Sequence, residues 1–178
     1  LYCQQNALNK ACAQVALRSL LAPLSPNSDI SYRRINEIAA AVKPFDPGDG
    51  LNTAQIRAVM QAVGVGYSDL DYRCNPNDRQ MFPYQSYLYA GVESGLGSLL
   101  VFELRGSNAA GEPHIIPFFG HTFNQDTWVP YADIDYFHVG DNTRYFPSEA
   151  WLSSFIGHDD NFGSNFCVPS RYVDAVDV

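Results

Sequence analysis

The chain has 178 residues, 46% of them hydrophobic and 17% charged, which is long and apolar enough for one folded domain and too apolar for a disordered chain. A net charge of −8, with no basic cluster beyond Arg33-Arg34, argues against nucleic acid or an anionic membrane as the main partner. No apolar run approaches the ~20 residues of a membrane span, and the cysteines Cys3, Cys12, Cys74 and Cys167 form no C-x-x-C pair of a zinc ribbon or thioredoxin site.

The opening Leu-Tyr-Cys has no signal-peptide character, as expected of a mature or excised chain, so the compartment stays open. A helix is predicted over residues 6–21, stopped by Pro23 and Pro26. A second spans 31–42, with Ile35, Ile38, Ala39 and Val42 on one apolar face. A third spans 52–63, with Asn52 and Gln55 as a capping box and Gly64 just past its end. Residues 71–81 read as a surface loop. Pro83 then suits the first turn of a helix to about 94, closed by Gly95 and Gly97.

Residues 99–104 form a near-continuous apolar run, as in a buried strand. A second strand is expected over 114–120, paired through a turn at 123–125 with 126–130. Pro117 suggests an edge or a bulge in it. A last helix is predicted over 148–156, followed by the polar stretch His158-Asp159-Asp160-Asn161-Phe162-Gly163. Helices first and strands second make this an α+β chain, with a helical part over about 1–95 and an antiparallel sheet over about 96–178.

A thiolate nucleophile needs an electropositive setting, a base within reach and donors for the oxyanion. Cys12 meets the first condition if Asn9 caps its helix, because it then sits in the first turn beside Lys10. A start at Asn6 would move it to the second turn and remove most of that benefit. The competing structural reading makes Cys12 a small core residue on the face of Leu8, Val15, Ala16 and Ser19. His114 is the candidate base, and His121, expected in a polar turn, is its rival. His158-Asp159-Asp160 lacks calcium-loop spacing and reads as a polar loop near the site rim, so no metal or cofactor is expected. Signatures of nucleotide binding, zinc peptidases and serine hydrolases are absent.

The segment from Gln4 and Gln5 through Asn9-Lys10-Ala11-Cys12-Ala13-Gln14 to Leu21 resembles the opening of papain-fold cysteine peptidases of the C39-like, bacteriocin-processing branch. The blocks 30–39, 50–59 with Gly64, 94–102 and 114–120 follow in that family's order, so the likeness covers roughly residues 4–133. One departure is Ala13, where the family commonly has Gly. The resemblance implies a papain-like fold with Cys12 as nucleophile, His114 as general base and Gln5 (or Gln4) as oxyanion donor.

The residue that orients the histidine is expected across an antiparallel hairpin. A turn centred between Phe123 and Asn124 would put Asp133 opposite His114. Asp126 competes, since Asp126-Thr127-Trp128 looks like the Asn-Ser-Trp of papain-type enzymes. The function expected is a cysteine peptidase acting on a peptide or protein through an acyl-enzyme, the acidic balance favouring basic substrates. An acyltransferase of transglutaminase type would use the same site. A non-catalytic papain-like module would use the 11 Tyr and 11 Phe to line a groove. Oligomeric state is not legible.

Overall fold

The computed structural model of the chain describes residues 10–24, 29–44, 50–72, 83–104, 112–125, 127, 137–139, 143–145 and 147–170. Among them are four α-helices, α1 (Cys12–Leu21), α2 (Tyr32–Val42), α3 (Thr53–Ala62) and α4 (Tyr84–Glu93). The strands are β1 (Ser98–Leu104), β2 (Glu112–Phe123), β3 (Phe137–Val139), β4 (Thr143–Tyr145), β5 (Leu152–Asp159) and β6 (Gly163–Pro169). The architecture is α+β, with an antiparallel four-stranded sheet in the order β1-β2-β5-β6 and a separate β3-β4 ladder.

The helices end where local signals place them. Ser31 caps α2 by accepting from the Arg34 N–H. Asn52 and Gln55 form a reciprocal capping box at α3. Gly64, at φ +74, closes α3 with bonds from Gly64 N–H to Gln61 and from Val65 N–H to Met60, the double closure of a Schellman motif. Gly95 repeats that closure on α4. Pro83 is the residue before α4 rather than its first turn.

Two apolar layers follow. Leu17, Leu20 and Leu21 of α1 meet Ile35 of α2 and Val59 and Met60 of α3. On the other side, Leu88 of α4 packs with Ile116, Phe118, Leu152, Phe155 and Val168 of the sheet. Between these layers Ala13 and Ala16 lie against Ile115. The small residues after Cys12 thus let α1 lie close on β2. The methyl of Ala13, where the resembled family commonly has Gly, is accommodated there at 2% exposure.

The C-terminal third departs from expectation. The helix predicted over 148–156 is a 3-10 turn, Ser148–Trp151, followed directly by β5. At Gly157 a Cβ would lie 2.8 Å from the Pro117 carbonyl, so its bare backbone lets β5 approach β2. The stretch expected as a polar tail is the β5–β6 hairpin, with Asp159 paired to Gly163. β2 is a central strand and Pro117 lies inside the sheet, just before a register shift between Phe118 and Gly120 on its β5 side. His121, expected in a turn, is in the same strand. The proposed partner strand 126–130 lies almost wholly outside the described residues.

Candidate functional site

Cys12 is the first residue of α1. The residue before it, Ala11, provides no side-chain cap, and the first intrahelical bond runs from Val15 N–H to the Ala11 carbonyl. The Cys12 sulfur therefore sits at the electropositive start of a ten-residue helix, nearer the end than capping by Asn9 would put it. The thiol is free and half-buried. Gly50, at φ +72, packs against the chain entering this helix; a Cβ there would lie 3.2 Å from the Lys10 carbonyl.

Strand β2 brings His114 to that helix end, where the Cys12 side chain is one of the groups that raise the imidazole pKa. The ring is 7% exposed, and Phe102, its partner across β1, meets it edge-on at 5.6 Å between centroids. His114 Nε2 lies 2.9 Å from Asp159 Oδ2. With Nε2 taken by the carboxylate, Nδ1 is the ring nitrogen left for the thiol. Burial pulls the imidazole pKa down. The hydrogen bonds to Asp159 and Cys12 and the charges of Asp159 and Asp160 outweigh it, carrying the value from 6.5 up to about 10.

Asp159 ends β5 and is 1% exposed. Its Oδ1 accepts from the backbone N–H groups of Asn161 at 2.8 Å and Phe162 at 3.1 Å, which leaves Oδ2 aimed at the histidine. Burial pushes this carboxyl up, but His114 and the two N–H donors hold it below the usual carboxylate value. The turn thus fixes the carboxylate before any substrate arrives.

Asp160 is also buried, at 2% exposure, with Oδ1 3.8 Å from His114 Nε2. Apart from its own main-chain N–H, neither oxygen finds a donor among the described residues. Burial raises its pKa, the charge of His114 pulls it back and that of Asp159 raises it again, for a net upward shift. His114, Asp159 and Asp160 present a nitrogen and two carboxylate oxygens within 4.8 Å of one another, a set that could hold a divalent cation. The two consecutive aspartates converge although neighbours in sequence, one ending a strand and the next beginning the turn, beyond a register shift at Gly157/His158.

The other expected residues fall elsewhere. His121 bonds Glu93 and packs against Tyr89 and Phe123. It lies seven residues beyond His114 on β2, about 23 Å along a strand. Gln4, Gln5, Asp126 and Asp133 lie outside the described residues. The sequence reading placed Asp159 only at the site rim and gave it no contact with the histidine. The available signal was the turn chemistry of Asp159-Asp160-Asn161-Phe162-Gly163 between two short apolar runs, which marks a hairpin. No protein-family model, curated protein or solved structure matches the chain.

Proposed function

We propose that the chain is a cysteine peptidase-like hydrolase, with Cys12 as nucleophile, His114 as its acid–base partner and Asp159 as the group that orients the imidazole. The observation that carries this reading is a buried imidazole bonded to the Asp159 carboxylate at 2.9 Å, with the Cys12 side chain among the groups that raise its pKa. Asp159 takes the orienting role that the sequence suggested for Asp133. A helix bearing the cysteine, laid on an antiparallel sheet bearing the histidine, is also what the papain-like resemblance implies.

The chemistry follows from the placement. His114 has a strong affinity for a proton and takes the one released by Cys12, and Asp159 supports the resulting imidazolium. Cys12 Sγ attacks the peptide carbonyl carbon. Backbone N–H at the start of α1, with Gln5 or Gln4 as the side-chain donor implied by the resemblance, faces the oxyanion. As the C–N bond breaks, His114 returns its proton to the leaving amine and a thioester remains. Water then attacks, His114 accepts its proton, and the thiol is regenerated.

An acyltransferase would share every step up to the thioester and differ only in the acceptor. A thiol out of reach of any histidine would favour the non-catalytic module, and the influence of Cys12 on the His114 pKa weighs against it.

The test is iodoacetamide labelling at neutral pH, read by mass spectrometry at each cysteine. Fast modification of Cys12, slowed in His114→Ala, is expected. Equal, slow labelling of Cys12 and exposed Cys167 in both proteins would rule out an activated nucleophile.

A further inference from the structure

Two buried carboxylates meet the His114 ring where β5 ends, and only one of them is fully used. Asp159 Oδ1 accepts from two backbone N–H groups, and its Oδ2 lies 2.9 Å from His114 Nε2. Asp160 is 2% exposed, yet beyond its own main-chain N–H neither oxygen finds a donor among the described residues. His114 does not fill that need, because its Nε2 is 3.8 Å from Asp160 Oδ1 and already bonded to Asp159. A carboxylate left unpaired in a protein interior is costly, and buried ones are paired or ligate a metal.

We propose that His114, Asp159 and Asp160 form a binding site for one divalent transition-metal cation of the zinc class, through Nε2 and one oxygen of each carboxylate. These donor atoms lie within 4.8 Å of one another. Metal–ligand bonds of about 2.1 Å set neighbouring tetrahedral donors roughly 3.4 Å apart. The distances from Nε2 to the two carboxylates, 2.9 and 3.8 Å, bracket that spacing. The N–H bonds to Asp159 Oδ1 hold that ligand from behind, as ligating carboxylates are commonly held.

Charge and donor type choose the ion. Two carboxylates balance a dication, and the imidazole is neutral once the ion has replaced the proton on Nε2. One nitrogen with two oxygens suits zinc and its neighbours, whereas calcium takes about six to eight oxygens and magnesium keeps much of its water. Three protein donors leave a fourth position for water. A cavity of about 180 Å³, lined by His114 and Asp159, gives that water room. Its walls also include Leu100, Phe102, Ile116 and Phe118, and such apolar surroundings strengthen the attraction between an ion and its carboxylates. The site goes beyond the peptidase reading and does not depend on it, since no cysteine belongs to this donor set among the described residues. It does engage the His114–Asp159 contact that the peptidase reading uses to orient the imidazole, so a bound ion displaces that contact.

The probes are Zn²⁺ and Co²⁺ as chlorides, added to the whole chain after treatment with a chelator. Equilibrium dialysis should show one Co²⁺ held without a thiolate charge-transfer band and displaced by Zn²⁺. In imidazole nitrogen NMR of the unmodified protein, Zn²⁺ should move Nε2 of His114 and leave His121, whose Nε2 bonds Glu93, in place. Asp160→Asn should weaken Zn²⁺ binding by more than about 100-fold, beyond the roughly 10- to 100-fold lost with a supporting partner alone. Its metal-free melting temperature should be no lower than that of the unmodified protein, because an unpaired buried charge is gone. Cys12→Ser should bind as the unmodified chain does. The NMR measurement needs no variant and decides the matter if Asp160→Asn does not fold. Zn²⁺ at about 1 mM that leaves His114 unmoved overturns the site. Binding retained in Asp160→Asn, or binding with a thiolate band that is lost in Cys12→Ser, overturns it equally. None of these outcomes bears on the iodoacetamide labelling that decides the peptidase reading.

Discussion

At one end of β2 His114 meets Asp159 inside the molecule, and seven residues further on His121 meets Glu93 at its edge. Both pairs join an imidazole Nε2 to a carboxylate, yet their surroundings differ. Asp159 is buried and locked by two backbone N–H groups, whereas the Glu93 side chain is half-exposed and extends from α4. The Cys12 side chain, at a helix start, also raises the His114 pKa, whereas His121 is packed among Tyr89 and Phe123. The contrast teaches that a histidine–carboxylate pair is not itself a site. Burial, a fixed carboxylate and the influence of a cysteine set the His114 end apart, and the proposed function assigns chemistry to that end alone.

The largest effect should come from deleting the two rings. His114→Ala is expected to slow Cys12 alkylation at neutral pH by about 100-fold, the scale of a lost acid–base partner. His121→Ala should leave the rate within about twofold. Equal effects on alkylation kinetics would erase the distinction.

Removing the carboxylates should separate the ends by stability. Asp159→Ala breaks a buried pair and strips two N–H groups of their acceptor, at a cost of about 3 kcal/mol. Glu93→Ala removes a half-exposed partner and should cost no more than about 1 kcal/mol. Urea unfolding midpoints at pH 6 test both, and a Glu93 effect as large as that of Asp159 would contradict the assignment.

The pH dependence sharpens the contrast further. The folded pKa of His114 is raised, so its stabilisation is complete below about pH 6.5 and is lost as pH rises towards about 10. That of Asp159 is lowered, so its contribution is present above about pH 4 and disappears as pH falls through its folded value. Stability against pH should therefore decline on the alkaline side in the unmodified protein. His114→Ala should flatten that alkaline limb while His121→Ala preserves it. The smallest effect is at Gly50, beside the entry to α1. Gly50→Ala at φ +72 should cost about 1 kcal/mol in thermal unfolding and lower the Cys12 alkylation rate only modestly.

Legibility followed the range of the interactions. Asn52, Gln55, Gly64 and Gly95 announced the ends of α3 and α4 because caps and left-handed closures are made within a few residues. Residues 152–156 misled because Leu152, Phe155 and Ile156 fit a helical stripe as well as a strand. The choice was made by neighbours distant in sequence, since β5 pairs with β2 on one side and β6 on the other. Reading that segment as helix turned 158–163 into a tail and removed Asp159 from consideration as the partner of His114. The arithmetic that pointed to Asp133 had the same weakness, since it assumed which strand pairs with β2.

The sequence by itself determined the α+β order, the bounds of the middle helices and the choice of Cys12 and His114 as the pair to examine. Each rests on periodicity, capping or motif order carried by neighbouring residues. The tertiary structure alone decided the surroundings of that pair: where α1 begins relative to Cys12, that Asp159 bonds His114, and that an apolar cavity adjoins the ring. These depend on pairing between residues 45 apart and on register shifts in β2 and β5. A one-residue slip in such pairing turns a side chain to the opposite face of the sheet, and no local pattern records it.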